Sequence, residues 1–213
     1  MGELIQPDAI ETDDQATPQR NWLPLILGLA ALVLAVMAVV GMESGRPPGD
    51  HSLEAGFARD MMVHHDQAVT TAMLIRDRTD DPVLRAMATD LVMTQQNQIG
   101  QMFGWLNVWG LPATGPDPAM TWMGHPTTGL MPGMATPDQI LDLAQLSGTD
   151  ADIAFLQLMI PHHQAAIPMA QAALDGSDVP AVRDLARQIL AAQEVEIATM
   201  EQMLADKEAA AGE

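Results

Sequence analysis

The sequence predicts an all-α protein: an N-terminal transmembrane helix followed by a four-helix bundle assembled from two repeated helical hairpins. Three observations carry that expectation. Tyrosine is absent and aromatic residues make up only 3% of the chain, while alanine, leucine and methionine abound, so β-propensity is poor and helix propensity high throughout. Residues 57–106 align without a gap on residues 155–204, at an offset of 98. That alignment pairs Phe57 with Phe155, Met61 with Met159, His64 with His162, His65 with His163, Pro82 with Pro180, Gln95 with Gln193 and Leu106 with Leu204. Within each copy, apolar residues recur at spacings of three and four, as on an amphipathic helix.

Taken in chain order, residues 1–20 form an acidic tail containing Glu3, Asp8, Glu11, Asp13 and Asp14. Residues 21–42 carry no charge and are long enough to cross ~30 Å of hydrocarbon as a helix. A cleaved signal peptide has a short basic start and a small-residue cleavage site, whereas this tail is long and acidic, so an uncleaved single-pass anchor is expected. Trp22 suits the headgroup boundary. Arg20 lies on one side of the span and Arg46 and Arg59 on the other, so positive charge does not decide which side the domain occupies. A linker with glycine and proline, residues 43–50, follows.

The first hairpin is assigned to residues 51–108 and the second to 150–206. An aspartate and proline turn divides each, Asp80-Asp81-Pro82 and Ser177-Asp178-Val179-Pro180, with aspartate read as the cap and proline as the first helical residue. The second helix of each hairpin carries an apolar stripe: Leu84, Ala88, Leu91, Gln95, Ile99, Met102, Leu106 and, in the repeat, Val182, Ala186, Ile189, Gln193, Ile197, Met200, Leu204. Burying such stripes against one another gives a bundle with a pseudo-two-fold axis. Between the hairpins, residues 109–149 form a connector of methionine, proline and glycine, too apolar for a plain solvated loop and expected to pack on the bundle. Within it, Thr136-Pro137-Asp138-Gln139 stands in capping-box order and predicts a short helix to about Leu146, ended by Gly148. Residues 207–213 are read as a C-terminal tail.

Composition narrows the function. A net charge of −19, with nine Lys and Arg in no basic run, repels phosphate backbones and argues against a nucleic-acid partner. The same acidity keeps the protein soluble and raises the local concentration of cations. Cysteine is absent, which excludes disulfides, thiolate metal sites and a thiol nucleophile. Seventeen methionines supply thioether sulfurs, as core filler or as soft ligands.

On the first helix of each repeat, Met61, His64, His65, Ala68 and Ala72, and likewise Met159, His162, His163, Ala166 and Ala170, share one face. Four imidazoles and at least two thioethers are therefore expected at the seam between hairpins. Adjacent histidines point ~100° apart on a helix, so one of each pair is expected to face the axis and the other to serve a separate site. A buried imidazole without a partner is costly, and metal binding relieves that cost. The bland alternative is hydrogen bonding to Gln95, Gln193, Glu196 or the backbone. Imidazole with thioether suits copper, as Cu(I), Cu(II) or both, with zinc the second choice. A carboxylate-bridged di-iron bundle needs Glu-x-x-His on two helices, and none occurs in the chain. In the connector, Met120, Met123, His125, Met131 and Met134 form two Met-x-x-Met pairs flanking a histidine, readable as a Cu(I)-capturing cluster or as an apolar flap helped by Trp105, Trp109 and Trp122.

Met-Met-Val-His-His-Asp-Gln-Ala-Val at 61–69, Met-Pro-Gly-Met at 131–134, Met-Ile-Pro-His-His-Gln-Ala-Ala-Ile-Pro-Met-Ala at 159–170 and Gln-x-x-Glu-Ile at 193–197 resemble the domain-of-unknown-function family 305, from Ser52 to about Leu204. The resemblance implies a ferritin-like bundle in a secreted or membrane-anchored bacterial protein, lying outside the cytoplasm and concerned with copper binding and resistance. It implies His64, His65, His162, His163, Met61, Met159, Met169, Met131 and Met134 as ligands. Repeat one departs from repeat two: Thr71 stands opposite Met169 and Gln98 opposite Glu196, so the first half lacks a thioether and a carboxylate. The resulting expectation is a copper-binding protein of the cell membrane, with its domain extracytoplasmic, that sequesters or transfers copper without catalysis. A copper-dependent oxidase, with Glu196 as the acid or base, is the alternative. A third reading is a metal-free helical interaction module or homodimer.

Overall fold

The structure, a computed structural model, describes residues 22–44 and 46–211. The chain divides into an N-terminal unit reaching Arg46 and a second unit from Pro47 onward. In the first, α1 spans Leu23–Ser44. Side chains are described for its residues 24–37, all exposed. Among the described residues no helix is long and apolar enough to cross a membrane. The acidic tail at 1–20 and Asn21 lie outside the described residues.

The second unit contains α2 (Leu53–Arg76), α3 (Pro82–Val108), a 3-10 turn at Thr121–Met123, α4 (Pro137–Gln145), α5 (Gly148–Gly176) and α6 (Pro180–Ala211). No strand occurs among the described residues. Ser52 caps α2, its hydroxyl accepting from the Ala55 amide at 3.2 Å, and Asp81 caps α3 by accepting from the Val83 and Leu84 amides at 2.8 and 3.3 Å ahead of Pro82. In the second turn Val179 occupies the position of Asp81, so no aspartate caps α6. There the Ser177 hydroxyl accepts from the Val179 amide at 3.1 Å, as Thr79 does from Asp81 at 3.0 Å.

The capping box of α4 forms as the sequence predicts, but the helix ends at Gln145, and Gly148 opens α5 at φ +58° rather than closing α4. At the far end α6 continues beyond residue 206, because Lys207 bonds Asp81 at 2.7 Å and Asp152 at 2.8 Å. Residues 212 and 213 of the expected tail lie outside the described residues.

Helix α2 packs on α3 and α5 on α6, and the two hairpins meet through α2 and α5. Their interior holds two apolar clusters. One, built on Phe57, Met61, Met102, Leu106, Met169 and Ile189, also takes in Met120 and Met131 of the connector. The other is built on Ala68, Ile75, Leu84, Leu91, Phe155, Met159 and Met200. The stripes are buried largely as expected, but Ile99, Ile197 and Leu204 are half-buried, and Gln98 beside Ile99 is buried. Register against α2 turns the polar side chain inward there.

Candidate metal centre

The repeat Met-x-x-His-His lands in the middle of α2 and α5, between the apolar clusters, where the two helices cross. All four imidazoles are buried, so no histidine of either pair points to solvent. His64 and His162 stack across the seam, their ring centroids 3.8 Å apart and their planes inclined by 33°. His65 and His163 instead turn toward the second helix of their own hairpin, as the ~100° between adjacent side chains requires. The His65 Nε2–H donates to Gln98 Oε1 at 2.7 Å, and the His163 Nε2–H donates to Glu196 Oε2 at 3.1 Å. These are equivalent contacts in the two repeats.

Both partners accept, so a neutral ring beside them carries its proton on Nε2 and its lone pair on Nδ1. Neither Nδ1 has a hydrogen-bond partner among the described residues, and the same holds for His64 Nδ1 and His162 Nε2. Each of the four rings therefore carries one buried, unpartnered nitrogen. Leaving such an atom unsatisfied costs ~1–3 kcal/mol. A carboxylate or amide that orients one ring nitrogen while the other waits is the arrangement that commonly supports a metal-bound histidine.

Burial pushes three of the imidazoles toward the neutral form a metal needs: His64 is lowered to about 4 and His65 to about 3, desolvation being the largest cause for both. His162 lies well below its ordinary value, by desolvation first and then by the neighbouring rings. Oriented imidazoles of this kind fit a soft or borderline ion. Among the described residues no three His, Asp or Glu side chains close around a common point, so imidazole alone does not complete a coordination shell.

Sulfur is distributed unevenly. Met61 and Met159 are buried one helical turn from His64 and His162, but in different apolar clusters, because α2 and α5 cross antiparallel and carry their thioethers to opposite sides of the stacked rings. Met169, Met120 and Met131 share the cluster of Met61, with Met123 and Met134 packed against it. His125 is exposed beyond the αL residue Gly124 and does not join the buried histidines. Thr71, opposite Met169 in the repeat, satisfies its hydroxyl on the Gln67 and Ala68 carbonyls.

The connector is fastened over this end of the bundle by contacts that sequence reading did not reveal. Asp60 accepts from the Met120 amide at 2.7 Å and from the Trp122 indole at 2.8 Å. Burial raises the Asp60 carboxyl above its ordinary range, against those bonds. Gln67 exchanges two bonds with the backbone of Ala135, at 2.9 and 2.7 Å. His64 Nε2 reaches the Pro132 carbonyl at 3.4 Å. Gly133, at φ +75°, lies where a Cβ would stand 2.5 Å from the Pro161 carbonyl and 2.6 Å from Ala165. Asp60 sits one position before Met61, and its place on the buried face was the available signal.

The DUF305 protein of Streptomyces coelicolor is 45% identical to this chain, with a TM-score of 0.71 over 75% of this chain and 96% of its own. CopM, solved in a Cu(II)-bound form, is 28% identical, with a TM-score of 0.58 over 73% of this chain and 97% of CopM. CopM solved in a Cu(I)-bound form aligns at 26% identity and a TM-score of 0.54. The uncharacterised protein L153 of Acanthamoeba polyphaga mimivirus is 39% identical over 46 residues, a match that spans 22% of this chain and 30% of that protein. The profile of DUF305, a domain of unknown function, matches residues 54–204, and with the paired histidines of both repeats inside that span, the chain belongs to the DUF305 family.

Proposed function

We propose that the protein binds copper outside the cytoplasm, held at the membrane by residues 21–42 as a single-pass anchor, and sequesters the ion or hands it on. The observation that carries this reading is the set of four buried imidazoles, each with one unpartnered ring nitrogen, two of them oriented from behind by Gln98 and Glu196. Thioethers in the flanking clusters add a preference for the reduced ion, which zinc does not share. The copper-bound forms of CopM support the choice of metal, and the family resemblance supports an extracytoplasmic domain. Glu196, the carboxylate an oxidase would use as acid or base, is engaged with the His163 ring, which favours an orienting role.

The test is copper stoichiometry of the full chain in detergent, stripped of metal and titrated anaerobically with Cu(I). Replacing His64 and His162 together by alanine should lower the bound copper while far-UV circular dichroism stays unchanged. Unchanged stoichiometry in the double variant refutes the assignment. Oxidation of Cu(I) by the wild-type protein faster than in free solution would instead favour the oxidase.

A further inference from the structure

Two buried side chains beside the histidines have no assigned part. Gln95 and Gln193 are repeat equivalents, 2% and 3% exposed. Both polar atoms of the Gln95 carboxamide and Oε1 of Gln193 lack a hydrogen-bond partner among the described residues. Native interiors rarely strand a carboxamide, and two stranded at equivalent places indicate a common cause.

Register locates them. Gln95 lies one turn before Gln98 on α3, and Gln193 one turn before Glu196 on α6, where side chains three apart are neighbours. Since Gln98 meets His65 and Glu196 meets His163 across antiparallel helices, one turn back on α3 comes level with Ala68, and one turn back on α6 with Ala166. Both facing residues are alanine and leave room for a longer partner. Ala68 shares its cluster with Met159, and Ala166 shares its cluster with Met61. Each half of the bundle thus offers, within about two helical turns, a free imidazole nitrogen, a thioether and a carboxamide oxygen.

Those donors differ in softness. Thioether with imidazole suits Cu(I), whereas Cu(II) favours tetragonal nitrogen and oxygen donors. We propose that Gln95 and Gln193 are oxygen donors to the oxidised ion, so that the histidine seam accepts Cu(II) through imidazole and carboxamide and Cu(I) through imidazole and sulfur. This rests on the copper-binding reading and adds to it a residue-level division between the two oxidation states.

The experiment uses the full chain in detergent, with Cu(II) and Cu(I) affinities measured separately by chelator competition and the Cu(II) form recorded by electron paramagnetic resonance. Gln95→Leu with Gln193→Leu should weaken Cu(II) at least ~10-fold, alter its resonance spectrum and leave Cu(I) within ~3-fold, because leucine removes the oxygen but not the imidazoles or sulfur. Gln95→Met with Gln193→Met, closer in shape, should weaken Cu(II) likewise and hold or tighten Cu(I). Either pair, folded by circular dichroism, with wild-type Cu(II) affinity and spectrum overturns the inference and leaves the copper reading standing. A parallel loss of both ions also overturns it, since that marks a packing role. Wild-type protein that takes up neither ion overturns both.

Discussion

Acidification of the metal-free protein provides a direct measure of how the buried imidazoles are held. In the unfolded chain these histidines titrate at the ordinary value of 6.5, whereas in the folded protein His64 is lowered to about 4, His65 to about 3 and His162 well below 6.5. Below pH 6.5 the unfolded state therefore binds protons that the folded state refuses, so stability falls as pH falls, from full strength above 6.5 to its lower limit near the folded values. Between pH 7 and pH 5 His64 and His65 each remove about 2 kcal/mol, together on the order of 4 kcal/mol, and His162 adds to the loss in the same direction. Asp60 acts in the opposite sense, since its raised carboxyl takes up a proton earlier when folded, but it is one group against three. Asp77 and Asp81, lowered by Arg76 and Lys207, lose their contribution below the ordinary carboxylate value and hence outside this window. A loss of at least ~4 kcal/mol is a large part of the ~5–15 kcal/mol that holds a domain together. Urea unfolding at pH 7, 6 and 5, followed by far-UV circular dichroism, should show the midpoint falling by roughly 2–3 M for a slope of about 2 kcal/mol per molar. Midpoints that agree within about 0.3 M across that range refute the claim that these rings are held buried and neutral.

Glu196→Gln exchanges the carboxylate behind His163 for the amide already behind His65, and copper affinity measured by chelator competition should fall ~10–100-fold, the usual effect of losing an outer-shell partner. Gly133→Ala forces a Cβ onto the Pro161 carbonyl and Ala165 at φ +75°. Thermal unfolding should show a loss of at least ~2 kcal/mol, with proteolysis between residues 120 and 135 accelerated. Lys207→Met leaves the carboxylate of Asp152, 3% exposed, without its cation, and should cost about 3–5 kcal/mol. Adding Asp152→Asn should restore most of that, measured by urea unfolding.

What the sequence made legible were features set within one or two helical turns: the shared face of Met61, His64 and His65, the Asp81-Pro82 start of α3, the capping box of α4. The offset of 98 also made the pseudo-symmetry legible, and with it the meeting of both histidine pairs at the seam between hairpins. What escaped depends on register between helices. That His65 meets Gln98 rather than Gln95 is fixed by the length of the turn at residues 77–81, and a turn one residue longer would have rotated a different side of α3 inward. The clasp of Asp60 and Gln67 on the connector escaped for a related reason, since an irregular segment carries no periodicity to say where its amides will come to rest.

That connector also breaks the symmetry the duplication creates. Its methionine segment lies over one apolar cluster, bringing Met120 and Met131 to the side of Met61 and Met169, while α4 with its C-cap gives the other only Leu143 and Leu146; it also gives His64 a carbonyl partner in Pro132, whereas the Nε2 of its counterpart His162 has none among the described residues. Gln98 against Glu196 sharpens the difference, since a carboxylate makes the imidazole it supports a stronger donor than an amide does. Two stacked rings of identical chemistry thus occupy unlike surroundings, and substitutions at equivalent positions of the two repeats should not be equivalent in effect. If His64→Ala and His162→Ala, made singly, lowered copper affinity equally, neither the Pro132 contact nor the uneven distribution of sulfur would matter to the site, and the departures of repeat one from repeat two would be without consequence.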